Sequence, residues 1–329
     1  MTENPFVSVC IQTYQQKNFI TSCLESVLMQ KTSFPFEIIV GEDDSTDGTR
    51  EICKTFAEKF PDKIRLFLRS EKDRIYIDGQ KTGRFNFLSN LNAARGKYIA
   101  LLDGDDRWID EYKLQKQVSW METQPGMVIS THNVYWKKEK GYAFIPAHLN
   151  MADENRVFTL DDLLEKYFLH MSAIVFLRQS VLDLPLWYKE LPVIDIPLSL
   201  HIAQNGTIGF MKEAMAVYNI HKDGMWNSLQ SPHDYIKLWK LYTMLAIHFE
   251  GKIKTAMEKK RIHAGKWLIN FYQKRLWYDS AWLKKELGEF NFEGDKGLLK
   301  ELNDIHQWKN YRANVVNIAK AGIKKIYKR

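Results

Sequence analysis

Apolar positions in the first two thirds of the chain come in short runs. Residues 7–11, 36–40, 64–68, 98–102 and 127–131 are rich in β-favouring side chains and have the length of buried strands. Between the early runs the spacing becomes helical. Ile20, Leu24, Val27 and Leu28 share one face of residues 20–29, and Ile52, Phe56 and Phe60 share one face of residues 48–60. Ser45, Thr46 and Asp47 are capping residues just ahead of the second helix. Strands alternating with helices predict an α/β fold, with a mostly parallel sheet and helices on both faces. From about residue 232 the pattern changes to aromatic, lysine-rich helical stretches at 235–250, 253–277 and 313–327. The expected organisation is an α/β domain over 1–229 and a basic, aromatic-rich α-helical region over 230–329.

The chain has 329 residues, 45% hydrophobic and 26% charged, which excludes a mainly disordered protein. The net charge of +7 is a sum of opposites. Residues 230–329 hold 21 basic and 10 acidic side chains, while 1–229 hold 26 and 30. No apolar run reaches the ~18–20 residues of a membrane span. The N-terminal residues have neither a basic segment nor a long apolar one, so no signal peptide is expected. Cys10, Cys23 and Cys53 are too few and too scattered for a disulfide framework, and they read as reduced packing residues of a cytoplasmic protein.

Ligands of open α/β sheets gather at the carboxyl ends of the strands. Gln12-Thr13-Tyr14 follows the first run and carries no glycine, so neither a dinucleotide fingerprint nor a phosphate-binding P-loop is present. Glu42-Asp43-Asp44 follows the second run. A turn and helix cap account for Ser45 to Gly48 but not for this acidic triplet, whose carboxylates can accept from a nucleobase N–H or a ribose hydroxyl. Asp103-Gly104-Asp105-Asp106 follows the fourth run. Three carboxylates in four residues repel one another unless a cation or donors offset them, and Mg²⁺ or Mn²⁺ favours such ligands. A surface turn is the plainer alternative.

These three segments, in this order and spacing over about residues 5–228, resemble the family 2 glycosyltransferases. The resemblance implies a GT-A fold, Rossmann-like, with an inverting, nucleotide-sugar-dependent activity. It places Gln12, Thr13, Tyr14, Asp43, Asn86 and Asp103 at the donor nucleotide, with Arg84 beside them. It makes Asp105 and His221 metal ligands for Mg²⁺ or Mn²⁺, and it makes Asp195 the catalytic base. The chain departs from the family pattern at several places, among them Ile194-Asp195 where Glu-Asp or Gly-Asp is usual. Gln12 stands where proline or threonine is common, Glu42-Asp43-Asp44 replaces Asp-Asp-Gly, and Asn219 replaces an arginine. By local physics alone, Asp195 is equally a helix-start residue favoured by the dipole.

The expected function is transfer of a sugar, from a UDP-sugar, to a hydroxyl of a glycan or lipid-linked glycan in cell-surface polysaccharide synthesis. The basic segment 312–329 is expected to be amphipathic, either packed on the body or set on an anionic membrane at its cytoplasmic face. Two other readings remain. A nucleic-acid-binding module would use Trp239, Trp267, Trp277, Trp282 and Trp308 for stacking, although core packing explains these residues as well and no nucleic acid is expected as a partner. A sugar-1-phosphate nucleotidyltransferase would share the architecture but lacks its glycine-rich N-terminal signature here.

Overall fold

The computed structural model describes residues 4–77, 79–138, 154–221 and 232–274. The chain divides into two compact units, Met1–Asn227 and Ser228–Arg329. The first opens with β1 (Val7–Thr13), α1 (Ile20–Leu28), β2 (Phe36–Glu42), α2 (Thr49–Lys59) and β3 (Ile64–Leu68). A small hairpin follows, β4 (Ile75–Ile77) and β5 (Gln80–Thr82), then α3 (Arg84–Ala93), β6 (Tyr98–Asp103), β7 (Arg107–Trp108) and α4 (Lys113–Thr123). The unit continues with β8 (Met127–Lys138), β9 (Arg156–Phe158), α5 (Leu160–Glu165), β10 (Val175–Leu177), α6 (Asp195–Ala203) and β11 (Thr207–Ile220).

Nine strands form one sheet in the order β3-β2-β1-β6-β10-β8-β11-β7, with β9 on β11. The first four strands run parallel, as the strand–helix alternation predicts. Beyond β6 the sheet is mixed, because β10 enters antiparallel between β6 and β8. β1 and β2 are buried along almost their whole length, since helices cover both faces. α1 turns Ile20, Cys23, Leu24 and Val27 into this core. Burial pushes the thiols of Cys10, Cys23 and Cys53 up, so they are inert packing groups at neutral pH.

β8 runs on to Lys138, beyond the predicted run, because it pairs with the 14-residue β11. Register shifts at Met211/Ala214 and Ala214/Ala216 break the alternation of β11 and hide it from pattern reading.

Parallel register decides where the chemistry gathers. Gln12 lies opposite Gly41 on one side and Asp103 on the other, so the carboxyl ends of β1, β2 and β6 form one rim.

The second unit holds α7 (Pro232–His248) and α8 (Gly251–Lys274), an antiparallel pair turned at Gly251 with φ +57°. Ile236, Trp239, Leu241 and Leu245 of α7 and Ile253 and Met257 of α8 are buried. No described helix is long and apolar enough to cross a membrane. The predicted helix 313–327, the basic segment 312–329, and Trp277, Trp282 and Trp308 lie outside the described residues.

Candidate active site

The loops after β1 and β2 are stitched together by side chains acting on backbone. The Gln15 N–H donates to Ser45 Oγ at 2.9 Å, and Gln15 Oε1 accepts from the N–H groups of Thr46 and Asp47. The Gln16 N–H donates to Thr49 Oγ1 at 2.8 Å. The N-cap of α2 is Gly48 (φ +106°) rather than one of the expected capping residues, and Asp47 just before it accepts from the Thr49 N–H at 3.0 Å. Glu42 is wholly buried, and its carboxylate takes the Ser45 N–H and the Arg50 guanidinium. The acidic triplet therefore splits in function. Glu42 builds the turn, Asp44 adopts a left-handed conformation (φ 63°) and pairs with Arg50 at 3.3 Å, and Asp43 faces the rim. Asp44 thus stands at a position where the resembled pattern has glycine, and aspartate is one of the few other residues that tolerates it.

Asp43 is 4% exposed and lies 3.5 Å from Arg74, which is buried too. Burial pushes the Asp43 carboxyl up, and Arg74 pulls it back toward ionisation. The same guanidinium lies 4.6 Å from the centre of the Tyr14 ring, which is 41% exposed. Tyr14, Arg74 and Asp43 thus form a layered corner with an open aromatic face. Asn86 takes a different place from the one its position suggests. Its Nδ2 donates to the Gly41 carbonyl at 2.7 Å, and its Oδ1 accepts from Arg69 Nε at 3.2 Å. Both ends of the amide are occupied in holding α3 against β2. Asn90, bonded to the Ile11 carbonyl and to Arg69, completes this bracket.

The turn after β6 carries the densest charge. Gln12 Nε2 donates to Asp103 Oδ1 at 2.5 Å. Burial, with Asp105 next to it, holds the Asp103 carboxyl well above the usual range, and the Gln12 bond opposes that shift. Asp105 Oδ2 lies 3.0 Å from His221 Nε2, and the His221 ring stacks on Phe19 with centroids 4.8 Å apart. Asp106 is fully buried and structural. It accepts from the Ser172 hydroxyl and from the Asn219 N–H at 3.1 Å. Asn219 Nδ2 also donates to the Asp105 carbonyl at 2.6 Å. Asn219 therefore locks the acidic turn to the end of β11 and delivers His221 to Asp105. Gly104 is needed because a Cβ there would collide with Gln16 Oε1 and lie 2.7 Å from the Thr13 Cβ. Thr13 Oγ1, Gln12 Oε1 and Gln16 Oε1 are buried here without a hydrogen-bond partner.

Asp195 opens α6. Burial is the main influence on its carboxyl and pushes it up, while the backbone N–H groups of Ile196 and Asp195 and the charge of Arg84 act against it. Its Oδ1 is buried and has no hydrogen-bond partner. Asp195 and Asp103 lie within electrostatic reach of each other. Tyr218 feels the charges of Asp106, Asp105, Asp103 and Asp195 together, and its ring meets His170 edge-on at 4.6 Å. Arg74 escapes a reading by motif, since it has no spacing signature and the fold alone brings it to Asp43 and Tyr14.

Among the described residues no group of three or more His, Cys, Asp or Glu side chains is placed to hold a metal ion. Asp105 and His221 form a pair only, and Mg²⁺ or Mn²⁺ would need water and phosphate oxygens to complete its shell there.

A family model described as "Glycosyl transferase family 2" matches residues 8–182. The uncharacterised protein Rv1520 of Mycobacterium tuberculosis is 32% identical over 241 residues, 71% of this chain and 64% of its own length. The putative teichuronic acid biosynthesis glycosyltransferase TuaG of Bacillus subtilis is 36% identical over 118 residues, 36% of this chain and 42% of its own. The chain thus spans under two thirds of the length of these relatives. The crystal structure of S. aureus TarS 1–349 in complex with UDP-GlcNAc superposes with a TM-score of 0.55 at 18% identity, over 80% of this chain and 71% of that one. The mannosyltransferase PcManGT from Pyrobaculum calidifontis, solved with GDP-Man and Mn²⁺, gives 0.52 at 17% identity, over 82% and 71%. At such identities the likeness is one of fold, and it is the GT-A fold that the three strand-end segments imply. The matched span contains all of β1 but its first residue, the Asp43 turn and the whole Asp103–Asp106 turn, and on that match the chain belongs to glycosyl transferase family 2.

Proposed function

We propose that the chain is an inverting glycosyltransferase that moves a sugar from a nucleoside-diphosphate sugar to an acceptor hydroxyl. One arrangement carries the reading. An Asp195 carboxylate whose Oδ1 is buried and without a hydrogen-bond partner lies within electrostatic reach of Asp103, in the cluster formed by Gln12, Asp103, Asp105 and His221. A raised carboxylate with a free oxygen is suited to take a proton, and an acidic turn at a strand end is suited to a diphosphate with its cation.

Each residue has a task in this proposal. Tyr14 and Asp43 border the base, with Asp43 accepting from a ring N–H such as that of uracil. Gln12 orients Asp103 toward the ribose. Asp105 and His221 would hold Mg²⁺ or Mn²⁺. Bound there, the ion would offset the charge that grows on the departing nucleoside diphosphate. Asp195 Oδ1 takes the proton of the acceptor hydroxyl as its oxygen bonds the anomeric carbon. The bond from that carbon to the diphosphate breaks, and its electron pair leaves with the nucleotide. The transition state has the oxocarbenium character of glycoside chemistry.

The relatives support a setting. TuaG is named for teichuronic acid biosynthesis, and another Bacillus subtilis relative, GgaA, for minor teichoic acid biosynthesis. The acceptor proposed here is accordingly a cell-surface glycan or its lipid-linked precursor. Exposed Lys252, Lys254 and Lys259 on α8 suit the anionic cytoplasmic face of a membrane.

The test is a panel of UDP-sugars and GDP-mannose with Mn²⁺ or with EDTA, scored for nucleoside diphosphate and for pyrophosphate. Metal-dependent release of nucleoside diphosphate supports the proposal. Pyrophosphate release would overturn it in favour of nucleotidyl transfer.

A further inference from the structure

Arg84 begins α3, yet its side chain serves a distant segment. Its Nη2 donates to the Leu191 carbonyl at 2.6 Å, four residues ahead of Asp195. The side chain is buried, with only 6% of the residue exposed, and its Nε is buried with no hydrogen-bond partner. Asp195 Oδ1 is buried and partnerless as well. Each is the other's charge partner, but no direct ion pair joins them. A buried donor atom and a buried acceptor atom of opposite charge thus stand unsatisfied within electrostatic reach of each other. Such atoms are costly to leave unmade, unless a ligand atom completes them.

The chemistry of the missing atom follows. A phosphate oxygen would be repelled by Asp195, and a cation by Arg84. A group that both accepts and donates satisfies the two at once, and a hydroxyl is the smallest such group a sugar carries. We propose that Arg84 and Asp195 form the seat of the acceptor hydroxyl, with Arg84 Nε–H donating to its oxygen and Asp195 Oδ1 receiving its proton. The inference rests on the glycosyl-transfer reading. Arg84 then has two roles. It positions the segment that carries Asp195 through Leu191, and it aims the nucleophile's oxygen. The hydroxyl O–H bond breaks toward Oδ1, and the freed pair on oxygen forms the new bond to the anomeric carbon. The diphosphate leaves with the old bonding pair. The groups that face Asp195 are Arg84 from α3, Tyr167 after α5, Asp103 at the end of β6 and Tyr218 of β11. Among the described residues Arg84 is the one cation that faces Asp195, so its removal shifts the titration of Asp195 upward.

The experiment compares the intact protein with Arg84→Gln and Arg84→Lys. Release of nucleoside diphosphate from UDP-GlcNAc and GDP-mannose with Mn²⁺ is followed from pH 5 to 9, with water taking the place of the acceptor hydroxyl. UDP affinity is measured by calorimetry, and melting confirms folding. The expected result for Arg84→Gln is release slowed at least ~10-fold at pH 7, an acid limb moved to higher pH, and UDP affinity within about twofold of the parent. Arg84→Lys keeps the charge and restores the acid limb, while the rate stays reduced because the forked geometry is lost. An unchanged rate and limb in folded Arg84→Gln overturns the inference, as does a loss of UDP affinity that matches the loss of rate. Absence of release by the intact protein with every donor overturns the glycosyl-transfer reading itself, and this seat with it.

Discussion

Asp105 Oδ2 and His221 Nε2 meet at 3.0 Å although 116 residues separate them in sequence. β11 makes this contact possible. Asn219 ties its end to the acidic turn through both its backbone N–H and its side chain, and Phe19 backs the imidazole ring. If the pair holds a divalent ion, Asp105→Ala abolishes the dependence of donor binding on Mn²⁺. His221→Ala weakens Mn²⁺ affinity by at least about 10-fold, the lower end of what losing even a group that supports a metal ligand costs. Titration of Mn²⁺ in the presence of UDP checks both. Equal donor affinity with Mn²⁺ and with EDTA in the unsubstituted protein would remove the metal role.

Asp195 sets the pH dependence. Burial raises its carboxyl above the ordinary ~3.9, so the acid limb of kcat/KM lies above that value, and activity falls as pH falls through it. The sign follows from its task, because only the ionised form accepts a proton. Asp195→Asn is expected to lower kcat by about 10²–10⁴-fold with UDP affinity nearly intact. Full turnover in this variant would end its assignment as base.

Asn86 gives the opposite pattern. Its amide joins Gly41 and Arg69, so Asn86→Ala leaves a buried carbonyl and a half-buried guanidinium each short of a partner. The expected cost is about 1–3 kcal/mol in stability by urea unfolding, with UDP affinity of the folded fraction unchanged. Loss of UDP affinity without loss of stability would return Asn86 to the nucleotide site. Gly104→Ala is the converse case. A Cβ there pushes on Thr13 and Gln16, so donor affinity falls more than stability does.

The legibility of the chain follows the same division. Parallel strands buried on both faces write themselves as apolar runs, so β1, β2, β3 and β6 and the residues at their ends are readable in order. Of α6 only the start at Asp195 is readable, because it follows a segment of 3₁₀ turns, and β11 is broken by register shifts. Motif position placed Asp43 and Asp103 at the rim, but it cannot tell an amide that faces a ligand from one that faces the core. Gln12 at the end of β1 and Asn86 in the first turn of α3 are both polar, and only packing decides that Gln12 meets Asp103 while Asn86 bonds the Gly41 carbonyl. The partners of Asp195 and Asp43, Arg84 and Arg74, come from segments whose sequence has no periodicity to announce them.

Lys113 presents a cost that no proposed step uses. It is wholly buried at the start of α4, 3.9 Å from the centre of the Trp108 ring, and its Nζ has no hydrogen-bond partner. Burial holds its ammonium well below the ordinary range, and the nearby His132 is pushed down for the same reason. The folded protein therefore binds fewer protons at this site than the unfolded chain does. Stability contributed here rises with pH toward the unfolded lysine value of ~10.4 and is lower at neutral pH. Lys113→Met keeps the length of the side chain and removes the charge. It is expected to raise stability at pH 7 by about 1–3 kcal/mol, with the gain shrinking as pH approaches 10. Urea unfolding at pH 7 and pH 9.5 measures the difference. A destabilised Lys113→Met at both pH values would show that the ammonium is held by its contact with Trp108 rather than merely tolerated there.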